Sequence, residues 1–293
     1  MKMGRVLVLL GVNALVAILS PLDAAIVQNS QTVTTSQKLE DTDEKRVSIE
    51  FSAGRLAIRP IDEGLLYRLK LRYNEDYFEP VTDLSGNRLH LGVERTRKGF
   101  RGIFNWNSMH WRSGEGNEFD LELAREVPMD LHISFGAGSA ELDLGGLTLT
   151  GLEFNTGASE SRIKVSAPNR EQISKAQFNV GAADFQLEQL GSLNAEDIEI
   201  NAGVGSLELS LDGNWQRDAL ISINMGIGSL ELHVPEDLGF QLRKNSFLTS
   251  LDGVRNLVKE GNAYYSLNWD EADRNVTVDI DGALGSVTVR LIR

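Results

Sequence analysis

Cysteine is absent from the 293 residues of this chain, and proline is scarce, with 6 residues against 28 glycines. The lack of cysteine excludes a disulfide scaffold, thiolate metal sites, cysteine nucleophiles and a lipid-modified N-terminal cysteine. The excess of glycine over proline favours a fold with many tight backbone corners over a disordered chain.

Positive charge is also in short supply, because 29 Lys and Arg residues face 42 Asp and Glu residues and leave a net charge of -13. Such an acidic chain repels a phosphate backbone, so nucleic acid is not expected as a partner. The hydrophobic content of 41% is enough for a core. The length fits one large all-β domain as well as two smaller ones.

Long hydrophobic runs are missing except near the N-terminus, where Lys2 and Arg5 precede the apolar run VLVLLGVNALVAIL and Ala24 and Ala25 follow it. This pattern predicts a secretory signal peptide over residues 1–25. The run is shorter than the ~20 residues of a spanning helix. An uncleaved N-terminal anchor is the alternative, because Leu22 or Asp23 is a poor residue before a cleavage site. The remainder is expected to be exported, to the periplasm or cell envelope.

The rest of the chain divides by composition. Residues 26–46 are polar and are interpreted as a flexible linker. From Val47 onward, short alternating apolar segments between turn residues predict strands. We assign residues 47–130 to an N-terminal β region with an insert, and residues 131–293 to repeats, within one continuous domain.

A repeated pattern dominates this domain: alternating apolar residues, then Asn-x-Gly-x-Gly, then alternating apolar residues again. Two segments match it fully, IEINAGVGSLELSL and ISINMGIGSLELHV. Five degenerate copies begin at Val47, Leu131, Leu152, Ala176 and Val278. The consecutive copies at 131, 152, 176, 198 and 221 are separated by steps of 21, 24, 22 and 23 residues. Such a period predicts a single β-helix-like β-solenoid, capped by a hairpin-rich N-terminal part, in which each rung buries its apolar face on the next.

The repeat assigns structural roles to its polar and small residues. Asparagines stack from rung to rung and hydrogen-bond as a ladder, whereas the Gly-x-Gly pairs turn corners. The ladder residues are Asn155, Asn179, Asn201 and Asn224, and the best-defined corners are Gly203, Gly205, Gly226 and Gly228. A nucleotide loop is disfavoured because a strand, and no helix, follows each glycine pair.

No catalytic, metal or cofactor site emerges from the sequence. The 4 histidines are scattered and have no partners at ligand spacing. Serines beside the glycines lack a nucleophile elbow. Glu208 and Glu231 fall one rung apart, but two similar exposed carboxylates lack the unequal environments of a glycan-cleaving pair.

One insert reverses the local charge of this acidic protein. In the segment RTRKGFRGIFNWNSMHWR, cationic residues alternate with aromatic residues. This combination can bind a lipid headgroup surface, an anionic glycan or a protein. The alternative is that the aromatic residues cap the open end of the solenoid. The candidate binding surface comprises Arg95, Arg97, Lys98, Phe100, Arg101, Phe104, Trp106, Trp111 and Arg112.

The order of these segments resembles the toast-rack family of bacterial envelope proteins. The resemblance rests on VSIEFSAGRLAIRP, then on a segment with Tyr73 and Pro80, then on NEFDLELAREVPMDLHISFGAGSAELDL, the Gly-x-Gly rungs and VPEDLGFQLR. The repeats are also similar to the extracytoplasmic part of LiaF-like cell-wall-stress regulators. The resemblance implies an adhesin-like or stress-signalling role and brings no catalytic residues with it.

The sequence therefore favours a non-enzymatic, exported envelope protein that binds an envelope protein or a glycan. The alternatives are a polysaccharide-active β-helix enzyme and a structural module that self-associates through its end rungs. Association with a membrane surface is a further expectation, drawn from the basic aromatic insert.

Overall fold

A computed structural model describes residues 30–96 and 116–293, and most of them are in β-strands. Fifteen strands join into one sheet. In chain order they are β1 (Ser30–Lys38), β2 (Lys45–Ile61), β3 (Leu65–Asn74), β4 (Phe78–Ser85), β5 (Arg88–Arg95), β6 (Glu118–Ala124), β7 (Pro128–Asp143), β8 (Thr148–Lys164), β9 (Ile173–Glu188), β10 (Ala195–Ser210), β11 (Ala219–Pro235), β12 (Gly239–Asp252), β13 (Val258–Glu260), β14 (Ala263–Tyr265) and β15 (Asn275–Ile292).

The middle of the sheet is a parallel stack that confirms the solenoid-like fold. Its order is β2-β7-β8-β9-β10-β11-β15-β12. Equivalent positions of the repeat pair with one another, as when Ile200 lies beside Ile223 and Leu207 beside Leu230. All four side chains are buried. The register follows from the two-residue period, because a slip by one residue would turn every apolar side chain outward.

The long strands of the repeat fold back on themselves at the Gly-x-Gly positions. In β9, the rings of Phe178 and Phe185 lie 5.8 Å apart between centroids. Seven residues of a straight strand would span roughly 23 Å at about 3.3 Å per residue, so the strand must bend sharply between them. The core therefore lies between two arms of the same strands. The two arms have separate outer faces.

The arms separate at β2. Its first arm pairs with β5 from Arg46 to Glu50, and its second arm pairs with β6 from Arg55 to Ile61. Beyond β5 lies β4 as an antiparallel hairpin, and beyond β6 lie β3 and β1. This end is the hairpin-rich cap.

The flexible linker expected over residues 26–46 is wrong for Ser30–Lys38, which forms β1 and pairs antiparallel with β3. The segment looks like a linker because it is an edge strand whose side chains are mostly exposed. Its one apolar residue, Val33, packs against the core.

The order of the strands departs from chain order at the other end. Strand β15 lies between β11 and β12, so the copy that begins at Val278 is an internal rung although it is the last in the chain. The outer neighbour β12 is an additional rung that the repeat pattern missed, because Phe247 and Thr249 stand where the template has glycines. Within the described residues, no helix is long and apolar enough to span a membrane.

Candidate functional site

Four asparagines form a ladder across β8, β9, β10 and β11, on the first arm beside the bend. Asn179 Nδ2 donates a hydrogen bond to Asn155 Oδ1 at 2.7 Å. Asn201 Nδ2 donates to Asn179 Oδ1 at 2.9 Å, and Asn224 Nδ2 donates to Asn201 Oδ1 at 2.9 Å. The amides of Asn179, Asn201 and Asn224 therefore all donate in the direction of β8, and the ladder has a direction.

A carboxylate at the β8 end sets this direction. Glu153 Oε1 accepts a hydrogen bond from Asn155 Nδ2 at 2.8 Å, and Glu153 Oε2 lies 3.0 Å from His132 Nδ1. The other ring nitrogen, His132 Nε2, lies 2.9 Å from Asp130 Oδ1. Arg46 Nε donates to Asp130 Oδ2 at 2.9 Å. The ladder thus begins at a network of alternating charges on β2, β7 and β8.

The charges of this network shift one another's pKa values. Burial acts to lower the pKa of His132, but the hydrogen bonds and charges of Asp130 and Glu153 outweigh it and raise the pKa. The hydrogen bond from Asn155, followed by that from His132, lowers the pKa of Glu153. Burial acts to raise the pKa of Asp130, and His132 with Arg46 reverses this to a net lowering.

A second carboxylate supports the ladder at β10. Asn201 Nδ2 also donates to Glu199 Oε1 at 2.8 Å, and Lys175 Nζ lies 2.5 Å from Glu199 Oε2. The hydrogen bond from Lys175, followed by that from Asn201, lowers the pKa of Glu199. The amide column is thus held in place by ionised neighbours on its own face.

A shallow groove follows the ladder across the strands. It offers about 590 Å³ of open space over β2 to β10 and about 520 Å³ over β10, β11 and β15, and Asn201 lines both parts. One wall is the column that contains the ladder and runs, from β2 to β15, through Glu50, Ser134, Asn155, Asn179, Asn201, Asn224 and Asp281.

The floor of the groove is a row of exposed glycines at the bend. A Cβ atom on Gly203 would lie 2.7 Å from the carbonyl oxygen of Gly181, and one on Gly181 would lie 2.6 Å from that of Gly157. The close approach of the strands alone therefore requires glycine here. The same requirement leaves the peptide backbone of the floor without side-chain cover.

An apolar ridge lies beyond the floor. Val204 and Ile227 each follow a floor glycine in the chain, lie side by side in register, and are 54% and 52% exposed. The same column holds Ala158 and Ala182 in the preceding strands. The groove thus separates an amide wall from a ridge of small and branched apolar groups.

The outer face of the second arm carries the glutamate pair Glu208 and Glu231. His233 Nε2 lies 3.3 Å from Glu208 Oε1 and 3.0 Å from Glu231 Oε1. Arg290 forms a further ion pair with Glu231. The Arg290 guanidinium therefore offsets part of the like charge of the two glutamates. His233 and Arg290 thus join the two glutamates in one side-chain network on this face.

The basic aromatic insert falls largely outside the residues that the structure describes. Arg95 is exposed at the end of β5, opposite Phe78 of β4. The remaining predicted residues, from Arg97 to Arg112, lie outside the described ranges. Among residues 30–96 and 116–293, no group of three or more His, Asp or Glu side chains has an arrangement that could hold a metal ion.

The order of the segments and the stacked, glycine-bent strands agree with one family of proteins. The profile described as the N-terminal domain of toast_rack, DUF2154, matches residues 26–188 and 169–233. The chain belongs to the toast-rack family. None of the curated proteins matches it.

Several solved structures align with most of this toast-rack protein. A candidate cell adhesion protein from Clostridium sporogenes is 15% identical, with a TM-score of 0.47 over 90% of this chain and 100% of that one. A candidate adhesin from Bacteroides fragilis is 11% identical, with a TM-score of 0.40 over 89% and 97% of the two chains. A candidate lipid binding protein from Parabacteroides distasonis is 15% identical, with a TM-score of 0.34 over 91% and 98%.

Sequence reasoning about the toast-rack protein did not find the network at the start of the ladder. His132 lies 21 residues from Glu153 in the chain, a distance that equals the step between their two repeats. The sequence does contain a signal for this network. His132 and Glu153 occupy the same outward place of the repeat, and Asp130 lies two residues before His132 on the same face.

Proposed function

We propose that this toast-rack protein is a non-enzymatic binding module of the bacterial cell envelope. The observation that carries the proposal is the groove with its amide wall, which repeats one arrangement of polar groups over successive strands. A rigid, repetitive surface of this kind suits recognition of an extended partner better than catalysis on a single bond.

Two further features support the proposal. The N-terminal sequence has the pattern of an export signal. The glutamate pair that a glycan-cleaving enzyme would need is occupied by His233 and Arg290. In this proposal, the protein presents its first-arm face, together with the basic aromatic insert, to an envelope protein or a glycan during adhesion or stress signalling.

The test is photo-cross-linking in intact cells followed by fractionation and mass spectrometry. A photoreactive residue at Ser134 in the groove wall is compared with one at Gln186 on the other arm. The proposal expects the protein in the envelope fraction and covalent adducts that form from Ser134 in preference to Gln186. Recovery in the cytoplasm, or equal adducts from both positions, would contradict it.

The insert is tested separately with the variant Arg97→Glu/Trp106→Ala. If the insert is part of the binding surface, the variant loses adducts that the wild type forms. Identical adducts from both proteins would exclude the insert while leaving the groove in place.

A further inference from the structure

We infer that the groove binds an extended, uncharged polysaccharide that lies across the strands with one sugar on each rung. This inference rests on the proposed function, because it names the chemical class of the partner of the same surface. It is carried by the spacing of the amides, by their unused hydrogen-bonding groups and by the absence of Lys and Arg from the part of the groove lining that the structure describes.

The spacing of the ladder selects a repeating polymer. Neighbouring strands lie about 4.7–4.9 Å apart, so equivalent amides recur at that interval along the groove. An extended peptide advances only about 3.3 Å per residue and would fall out of step after one or two rungs. The sugar repeat of an extended β-1,4-linked chain is close to the strand spacing, so one sugar can lie on each rung. Successive sugars of such a chain are turned over, so the same groups return at every second amide.

The ladder leaves hydrogen-bonding groups for such a ligand. Each Nδ2 carries two hydrogens, yet Asn155, Asn179 and Asn224 each use one of them, toward Glu153, Asn155 and Asn201 respectively. One N–H of each amide is therefore unused. Sugar hydroxyl and acetamido groups both donate and accept, and match an amide wall of this kind.

The charges around the groove select an uncharged chain. Lys and Arg are absent from the described lining, whereas Glu50 lies at one end and Asp281 at the other. Glu153 and Glu199 lie behind the amides on the same face. Within the described lining, an anionic polymer would meet a carboxylate at each end and no Lys or Arg, since Lys175 on the same face is already paired with Glu199.

The remaining surfaces suit a sugar ring. The glycine floor has no side chains, so a chain can approach the backbone closely. The ridge of Val204 and Ile227 offers apolar contacts beside it, and the C–H faces of pyranose rings are apolar. Since the amides of Asn179, Asn201 and Asn224 all donate toward β8, the groove also distinguishes the two directions in which a polysaccharide chain can lie.

Isothermal titration of the purified full-length protein with N-acetylchito-oligosaccharides of two to six sugars tests the inference. Affinity should rise with each added sugar up to about four, the number of ladder asparagines, and then level off. An oligogalacturonate of six sugars should bind at least tenfold more weakly than the neutral hexamer. Affinity independent of chain length, or equal affinity for the anionic hexamer, would overturn the inference.

Two variants of β9 locate the site. Asn179→Asp replaces a ladder amide with a carboxylate of the same shape and should weaken binding of the neutral hexamer at least tenfold. Gln186→Glu makes the same chemical change on the other arm of the same strand and should change binding less than twofold. Circular dichroism shows whether both variants are folded, and equal effects of the two substitutions would place the site elsewhere.

The outcomes separate this inference from the proposed function. Envelope cross-linking from Ser134 without binding of any neutral oligosaccharide would contradict the polysaccharide inference and still support the proposed binding function. If the protein shows neither envelope association nor oligosaccharide binding, both the inference and the proposed function are contradicted.

Discussion

His132 Nδ1 lies 3.0 Å from one oxygen of Glu153, while the other oxygen of that carboxylate accepts the hydrogen bond that begins the asparagine ladder. A titrating group thus contacts the residue that orients a row of neutral amides. Protonation of the imidazole is thereby linked to the stability of the first-arm face.

The first prediction concerns pH. Because the folded-state pKa of His132 is raised, its contribution to stability is fully present below its unfolded pKa of about 6.5. That contribution is lost as the pH rises through the higher folded value. The difference in melting temperature between wild type and His132→Ala should therefore be largest near pH 5 to 6 and shrink above about pH 7.

The carboxylates set the acid limit of this window. The lowered pKa values of Asp130 and Glu153 contribute stability above their unfolded values of about 4, and this is lost in stronger acid. Thermal melts of both proteins from pH 3 to 9 measure the profile, and a difference that does not vary with pH would show that His132 acts only by packing.

The second prediction concerns the middle of the ladder. Asn201 donates to Asn179 and Glu199 and accepts from Asn224. At about 0.5–1.5 kcal/mol for each net hydrogen bond, Asn201→Leu should lower the unfolding free energy by ~2 kcal/mol. Asn224→Leu removes only the end of the ladder and should cost ~1 kcal/mol. Urea unfolding measures both, and equal losses would mean that the amides do not act as a connected row.

The third prediction concerns the corners. Gly205 has a φ of 143°, and a Cβ atom there would lie 1.9 Å from the carbonyl oxygen of Ala183. Gly205→Ala should therefore cost more than ~3 kcal/mol or prevent folding. Gly64 also has a positive φ, 68°, but nothing lies within 4 Å of a Cβ built on it, so Gly64→Ala should cost only ~1 kcal/mol. Thermal unfolding distinguishes the two, and similar losses would show that close strand approach is not what requires glycine at the corner.

The fourth prediction concerns the second-arm face near the N-terminal cap. Glu122 is 15% exposed at its side chain and pairs with Arg59 at 2.8 Å and with Arg68 at 2.9 Å. Glu122→Gln should cost ~1–2 kcal/mol at low ionic strength and less in 1 M salt. The matched control is Glu236→Gln, whose partner Arg293 is 3.8 Å away and almost fully exposed, and it should have almost no effect. An unchanged loss in high salt would argue against an electrostatic origin.

Most of the fold can be predicted from the repeat, because its period determines the register in which neighbouring strands pair. Alternation decides which side chains face inward, and the stacked Asn and Gly positions decide where each strand bends. Leu230, Leu232 and Val234 occupy the inward places of this alternation, and all three are 1% exposed or less.

The repeat pattern does not identify a rung that lacks glycine at its bend. Strand β12 has Lys244 at an inward place of the template and Thr249 at a glycine place, so it does not score as a copy. The position of β15 could not be predicted either, because the steps between copies measure distance along the chain and not adjacency in the sheet. The pairing of His132 with Glu153 could be predicted only from the exact register between β7 and β8.

The insertion of β15 between β11 and β12 also dictates an order of events. The ribosome completes β12 before it makes β15. During that interval neither β11 nor β12 can pair with β15, which is the final partner of both strands. Until β15 arrives, β11 presents a long parallel edge of unpaired N–H and C=O groups, which is a template for aggregation. A chain exported while unfolded would pass this stage only after it has left the cytoplasm.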